Sequence, residues 1–302
     1  MKSYFVWLAK LITLVLVFVV FVPLLLGFMA AGLQAPLGGM APAGKLVAVI
    51  ELKGMIDSSK DIVNHLYQQA KNDRVRGIVL RIESPGGAVG PAQEIYEAVS
   101  KLKLQKPIVV SMGGVAASGG LYAALGASKI FAQPGTLTGS VGVILQIPNL
   151  MGIAERVGVQ MLTIKSGKFK DAGNLFREMT PEDREFLQNT VDQVNDNFIE
   201  AIAQGRGLKR EEIMTFADGR VLLGGRAKEL GLIDEIGGVY DAARAALELA
   251  GETLKPGEYP EIFYVEDRFA RLKKFLEGIL DLPLRLQESA YGSRMDVRYV
   301  MP

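Results

Sequence analysis

The chain contains no cysteine. A thiol nucleophile, a disulfide framework and a thiolate metal site are therefore excluded, and the fold is indifferent to an oxidising compartment. Histidine is nearly as scarce, because His65 is the only one among 302 residues. A histidine-based zinc site needs more than one imidazole, so the usual zinc hydrolase patterns are missing. There is also no EF-hand loop and no phosphate-binding loop, so no metal or cofactor is expected, with a carboxylate-bound magnesium or calcium ion left open by the residues. The net charge is only +1, which gives no basis for a nucleic-acid partner. What is plentiful is apolar residues, at 49% against 22% charged. That balance suits a buried core rather than bulk disorder. The length allows one large domain or two small ones.

Charge is absent altogether between Lys10 and Lys45. The densest apolar part, Leu11 to Ala31, has about the length of helix that crosses a bilayer core of roughly 30 Å. Pro23 inside it is tolerable if a local kink is absorbed. Lys2 and Lys10 precede it, and positive flanks tend to remain cytoplasmic. The expectation is a single-pass transmembrane anchor, with the N-terminus in the cytoplasm and the rest of the chain on the extracytoplasmic side. A cleaved signal peptide is the alternative, since MAAGLQAP offers small residues to a peptidase. Residues 1–44 thus read as anchor and Gly/Pro/Ala-rich spacer.

Beyond the spacer, strands and helices alternate. Lys45–Leu52, Gly77–Ile82, Ile108–Met112, Lys129–Ala132 and Gln160–Ile164 read as strands, being short apolar runs rich in β-branched residues. Ser59–Ala70 and Pro91–Leu102 carry helical spacing. Thr180 caps a long helix from Pro181 to about Gln204, with Pro at its first position and Glu182 and Asp183 in its first turn. Asp241–Ala250 is a further helix. Repeated strand–helix units imply an α/β domain with largely parallel pairing over residues 45–250. Residues 251–302 differ. Asp267–Leu280 is amphipathic, with Phe269, Leu272, Leu276 and Ile279 opposite Arg268, Arg271, Lys273 and Lys274. It suits either a membrane-lipid surface or packing on the domain itself. Gln287–Pro302 shows no clear period and reads as a tail.

Three glycine-rich turns follow strands: Ser84–Gly87, Gly113–Gly120 and Gly139–Gly142. In α/β domains, ligands collect at the carboxyl ends of strands, and glycine lets backbone N–H groups approach them closely. Ser118 sits among small residues at the start of a short helix, where a hydroxyl is accessible and helix amides favour a developing anion. A hydroxyl alone is a poor nucleophile and needs a base. His65 lies inside a helix away from every glycine turn, so the remaining route is a lysine made neutral by burial. Moving a lysine from about 10.4 to 7–8 requires surroundings that disfavour its charge by roughly 4 kcal/mol. That means an apolar pocket without a carboxylate partner. Lys165, Lys168 and Lys170 all follow the Gln160–Ile164 run, and composition does not choose among them. Neither the Ser118 turn nor the Ser140 turn satisfies the Gly-x-Ser-x-Gly elbow of α/β-hydrolases.

Ala116-Ala117-Ser118-Gly119-Gly120, Thr136-Leu137-Thr138-Gly139-Ser140-Val141-Gly142-Val143 and Lys165-Ser166-Gly167-Lys168-Phe169-Lys170-Asp171 occur in that order. Together with Asp218-Gly219-Arg220-Val221, Gly225-Arg226-Ala227-Lys228 and Leu232-Ile233-Asp234 they resemble signal peptide peptidase A in its short form. The similarity runs from about Lys45 to Ala250. It implies the crotonase-like, Clp protease-like fold of repeated β-β-α units in a superhelical domain. It further implies Ser118 as nucleophile, Lys170 as general base and Ser140 as the hydroxyl that orients the lysine. Gly86, Gly87 and Gly119 would be the oxyanion-hole positions. A homo-oligomer, in which the serine and lysine can come from adjacent subunits, is implied as well. So are peptide substrates such as signal-peptide remnants, bound as an added strand. In short members a C-terminal tail can occupy the groove, which bears on Tyr291–Pro302. Two other readings stay open from the residues: an acyl-CoA enzyme of crotonase type, and a non-catalytic membrane scaffold that binds peptides.

Overall fold

The computed structural model describes residues 2–24, 27, 46–265 and 298–300. The chain divides into two compact units, 1–43 and 44–302. In the first, an α-helix spans Lys2–Leu16 and continues as a π-helical turn, Val17–Phe21. Tyr4–Leu24 has a mean hydropathy of 2.8 with none of it buried. That is long and apolar enough to cross a membrane, and a signal sequence has the same character. The apolar window begins at Tyr4 rather than Leu11 and takes in Lys10, while the expected end at Ala31 lies outside the described residues.

The second unit is built on a sheet whose central strands are β1 (Leu46–Lys53), β2 (Val75–Ser84) and β4 (Ile108–Ala116). β2 is parallel to both of the others. β5 (Lys129–Ala132) adds to β4, and β8 (Glu235–Ile236) adds to β5. At the site end, β4 also pairs with β6 (Leu137–Gly139), which meets β7 (Val221–Leu223) antiparallel. β9 (Glu261–Tyr264) extends the other edge by pairing parallel with β1. Apart from β6 with β7, every pair in this sheet is parallel, as strand–helix alternation requires.

The central strands are apolar on both sides because both faces are covered. Ala48, Ile50, Ile78, Leu80 and Ile82 pack with Ala92, Ile95 and Val99 of the Val89–Leu102 helix. Their neighbours in sequence, Val47, Val49 and Val79, point the other way onto Ala242, Ala243 and Ala246 of the Val239–Leu249 helix. That second helix lies close to the sheet. A Cβ on Gly77 would stand 2.8 Å from the Ala246 Cβ.

Two further elements matter for the site. β3 (Gly86–Ala88) follows β2 after one residue, and β10 (Arg298–Val300) pairs with it antiparallel. One expected strand is corrected. Gln160–Ile164 forms no strand, and Leu162 and Ile164 are 89% and 91% exposed. Its β-branched, apolar composition has no neighbouring strand to pair with among the described residues. The amphipathic stretch Asp267–Leu280 lies outside the described residues.

Candidate active site

The three glycine turns, far apart in sequence, meet at the carboxyl ends of β2, β4 and β6. The Ala117 N–H donates to the Ser84 carbonyl at 3.1 Å, and the Ser118 N–H to the Gly139 carbonyl at 2.8 Å. Side chains brace the junction. The Thr138 hydroxyl donates to the Ala116 carbonyl and the Thr136 hydroxyl to the Gly113 carbonyl, each at 2.7 Å. The Glu83 carboxylate accepts from the amides of Gly114 and Val115. Gly120 is needed for close approach, since a Cβ there would be 2.8 Å from the Ser84 carbonyl oxygen. Sequence reasoning missed Glu83, and it placed Thr136 and Thr138 in a motif without assigning them these bracing bonds. Only their placement one strand away from the turns they hold reveals them.

Ser118 has φ +51° and ψ −116°, a backbone conformation that a residue with a Cβ adopts at a cost. Contrary to the accessible hydroxyl expected from the small residues around it, Ser118 is fully buried, because the Gly139 and Ser84 turns close over it, and its Oγ has no hydrogen-bond partner among the described residues. A buried hydroxyl normally finds a partner. This one is held on a strained turn, immediately before the Gly119–Ala124 helix, with none. Ser140 is the other non-glycine residue with positive φ, at +50°, among the described residues. Its N–H donates to the Arg220 carbonyl at 2.8 Å, and the residue is buried. A cavity of about 470 Å³ opens beside it, lined in part by Gly142, Ile144, Val191, Asn195 and Gly219.

The Gly86–Ala88 strand has two edges, and the hydrogen bonds distinguish them. The Ile56 N–H donates to the Gly86 carbonyl at 2.9 Å, and the Ala88 N–H donates to the Ile56 carbonyl at 2.8 Å. The Gly86 N–H is taken by Ser84 Oγ at 3.1 Å. Alternation along a strand then turns the Gly87 peptide groups to the opposite edge, the one on which β10 lies.

The lysine-bearing segment stands apart. Lys170 sits in a turn, where its N–H donates to the Gly167 carbonyl at 3.1 Å, and its side chain is exposed. The apolar pocket required for a neutral amine is not formed around it within one chain. Its neighbours are occupied. Lys165 pairs with Asp171, and Lys168 Nζ lies 5.2 Å from the centre of the Phe169 ring. Among the described residues, Lys170 alone of the three candidate lysines has no side-chain partner recorded. Asp171 is also bound by Arg177 at 2.9 Å, and Arg177 reaches Asp183 at 2.6 Å. Arg177, then Lys165, hold the Asp171 carboxyl well below the usual carboxylate range. Arg177 is likewise the main cause that brings Asp183 down to about 2. His65 is half-buried on the Lys60–Ala70 helix and takes no part. No cluster of histidine, aspartate and glutamate fit to hold a metal ion occurs among the described residues.

The family model described as Peptidase family S49 matches residues 100–253, and that for Clp protease matches residues 47–138. A Synechocystis protein named "Putative protease slr0021" is 41% identical over 235 residues, covering 78% of this chain and 84% of that protein. "Putative signal peptide peptidase SppA" of Enterococcus faecium is 36% identical over 184 residues, covering 61% of this chain and 54% of the relative. "Protease 4" of Haemophilus influenzae is 29% identical over 216 residues, covering 68% and 35%. The chain thus spans most of the first of these relatives, about half of the second and about a third of the last.

Proposed function

The chain belongs to peptidase family S49 and is a serine protease, and from that premise we propose that it cleaves extended apolar peptides with Ser118 as nucleophile and Lys170 as general base. The observation that carries this reading is the Ser118 hydroxyl, which is buried, unpartnered and held on a strained turn at the meeting point of three strand ends. Neutral Lys170 accepts the hydroxyl proton as Oγ bonds to the peptide carbonyl carbon. The lysine then delivers that proton to the leaving amine, and afterwards activates water to release the acyl group. Ser140 orients the lysine amine. The Gly87 amide, turned away from Ile56 toward the edge of its strand that β10 lines, and the Gly119 amide hold the oxyanion.

Lys170 comes from a neighbouring copy of the chain. Within one chain its amine lies in solvent while Ser118 is buried without a base, so a second copy must supply both the lysine and the dry surroundings. The exposed apolar run around Leu162 and Ile164, with no strand partner among the described residues, supports such a contact. The N-terminal helix anchors the enzyme in the membrane, where remnants of signal peptides are suitable substrates. The pairing of β10 with β3 supports the mode of substrate binding, because it shows that this edge accepts an antiparallel strand.

The full chain in detergent micelles, incubated with a synthetic signal peptide and followed by mass spectrometry, tests the reading. Ser118→Ala and Lys170→Ala each abolish cleavage, and mixing the two variants during assembly restores part of it. Full activity in either variant alone overturns the dyad. Two inactive variants that never complement overturn its sharing between copies.

A further inference from the structure

The residues around Lys170 present a problem that the proposed chemistry has to solve. A lysine that must shed its proton is followed directly by a carboxylate, Asp171. Left free, that carboxylate would attract the ammonium and hold its proton in place. The turn must also be rigid, because a general base works only within hydrogen-bond reach of its partner.

Arg177 meets both requirements. A guanidinium has five N–H donors in a planar fork, and all five are used here. Nε donates to Asp171 Oδ2 at 2.9 Å, and Nη2 donates to Asp171 Oδ1 and to the Asp171 backbone carbonyl, both at 3.1 Å. Nη1 donates to the Glu178 carbonyl at 2.8 Å and to Asp183 at 2.6 Å. Asp183 in turn closes the capping box of the Pro181–Arg206 helix with Thr180. On the other side of Lys170, the Phe169 ring stacks on Phe186 of the same helix, with centroids 4.8 Å apart and planes 14° from parallel. Both flanks of Lys170 are therefore fastened to the first turns of one helix, and the side chain between them projects outward.

The charges balance as well. The charged groups in contact with the turn are Lys165 and Lys168 on the incoming segment, Asp171 itself, Arg177 on the outgoing loop and Asp183 on the helix. Asp171 and Asp183 are matched by Arg177 and Lys165, so the carboxylate beside Lys170 is already occupied by two cations.

We propose that Arg177 is a positioning residue for catalysis, which locks the Lys170 turn onto the Pro181–Arg206 helix and keeps the Asp171 carboxylate from pairing with the Lys170 amine. This rests on the reading of Lys170 as general base. Arg177 touches neither substrate nor the reacting atoms.

The test is the pH profile of kcat/KM for cleavage of an internally quenched Leu/Ala peptide by the full chain in detergent. Arg177→Met leaves Asp171 with Lys165 as its one cation, so an unoccupied carboxylate oxygen becomes available to Lys170. The acid limb moves up by about one pH unit, and kcat at pH 7 falls about tenfold while KM stays within a factor of two. Adding Asp171→Asn to Arg177→Met returns the limb toward its original position. Asp171→Asn alone moves it the opposite way, and this variant decides the matter if Arg177→Met does not fold. Arg177→Lys keeps the charge, so it loses kcat without moving the limb.

An unmoved limb in both Arg177→Met and Asp171→Asn overturns the proposal, as does a double variant with no recovery. Failure of the underlying reading looks different. Lys170→Ala would then retain activity with an unchanged limb, whatever Arg177 does. An inactive Lys170→Ala beside a fully active Arg177→Met would remove the role of Arg177 alone.

Discussion

Gly87→Ala is a sharp test of how the oxyanion strand is held. A Cβ at Gly87 would lie 2.4 Å from the Ile56 carbonyl oxygen, 2.5 Å from its nitrogen and 2.7 Å from its carbonyl carbon. All three are backbone atoms, so no rotamer change relieves the clash. Carbon contacts are comfortable at about 3.5–4.0 Å, so the strand must move away from Ile56 by about 1 Å. That movement strains the two hydrogen bonds to Ile56, at 2.9 and 2.8 Å. Their loss costs about 1 kcal/mol each, which a well-packed α/β core survives. Catalysis suffers more. A misplacement of about 1 Å costs roughly a hundredfold, and a lost oxyanion donor costs about 10²–10³ in kcat, or roughly 3–4 kcal/mol. The assay is kcat for peptide cleavage, read beside thermal unfolding of the same preparation. Gly90→Ala is the control, because nothing lies within 4 Å of a Cβ there. Being helical, it gains about 0.5–1 kcal/mol. Gly87→Ala with kcat within threefold of the parent and an unshifted Tm would refute the reasoning.

The remaining predictions concern stability and access. Ser118→Ala removes a buried, unpartnered hydroxyl, so the inactive variant should unfold at a higher temperature, by about 1 kcal/mol in stability; a lower Tm would show that Oγ has a native partner. Asp183 has a folded pKa of about 2, below its unfolded value of about 3.9. Its contribution is therefore complete above about pH 4 and is lost as pH falls toward 2. Thermal melts between pH 5 and pH 2.5 should fall less steeply for Asp183→Asn than for the parent, and parallel slopes would contradict this. Deleting residues 298–302 removes β10 from the edge of β3. KM for an extended peptide should drop severalfold with kcat little changed, and an unaltered KM would show that substrate binds elsewhere.

The sheet was legible because its central strands are buried on both faces. The run KLVAVIEL and the strand Lys129–Ala132 need no partner to be recognised, since apolar, β-branched composition is a local property. The Thr180 cap was legible for the same reason, its Pro and acidic residues lying within one turn of it. The Gln160–Ile164 run carries the same local signal and forms no strand, because pairing depends on a neighbour that the described residues do not supply. β3 and β10 were not legible as a pair. Gly86–Ala88 has no hydrophobic period, and its partner lies more than two hundred residues away in sequence.

The order of elements, the three glycine turns and the serine and lysine motifs are written in residues that stand next to one another. Each depends on local propensity and spacing, and so each could be recognised from the chain alone. That the turns converge, that Ser118 is strained and left without a partner, and that Arg177 fastens the Lys170 turn to a helix required the fold. Those features rest on hydrogen bonds and ion pairs whose geometry exists only after the sheet has stacked its strands and the long helix has docked. The side chain of Lys170 shows the difference most plainly. Its place in the motif is a matter of sequence, but whether its amine meets solvent or a dry cavity depends on what packs around it.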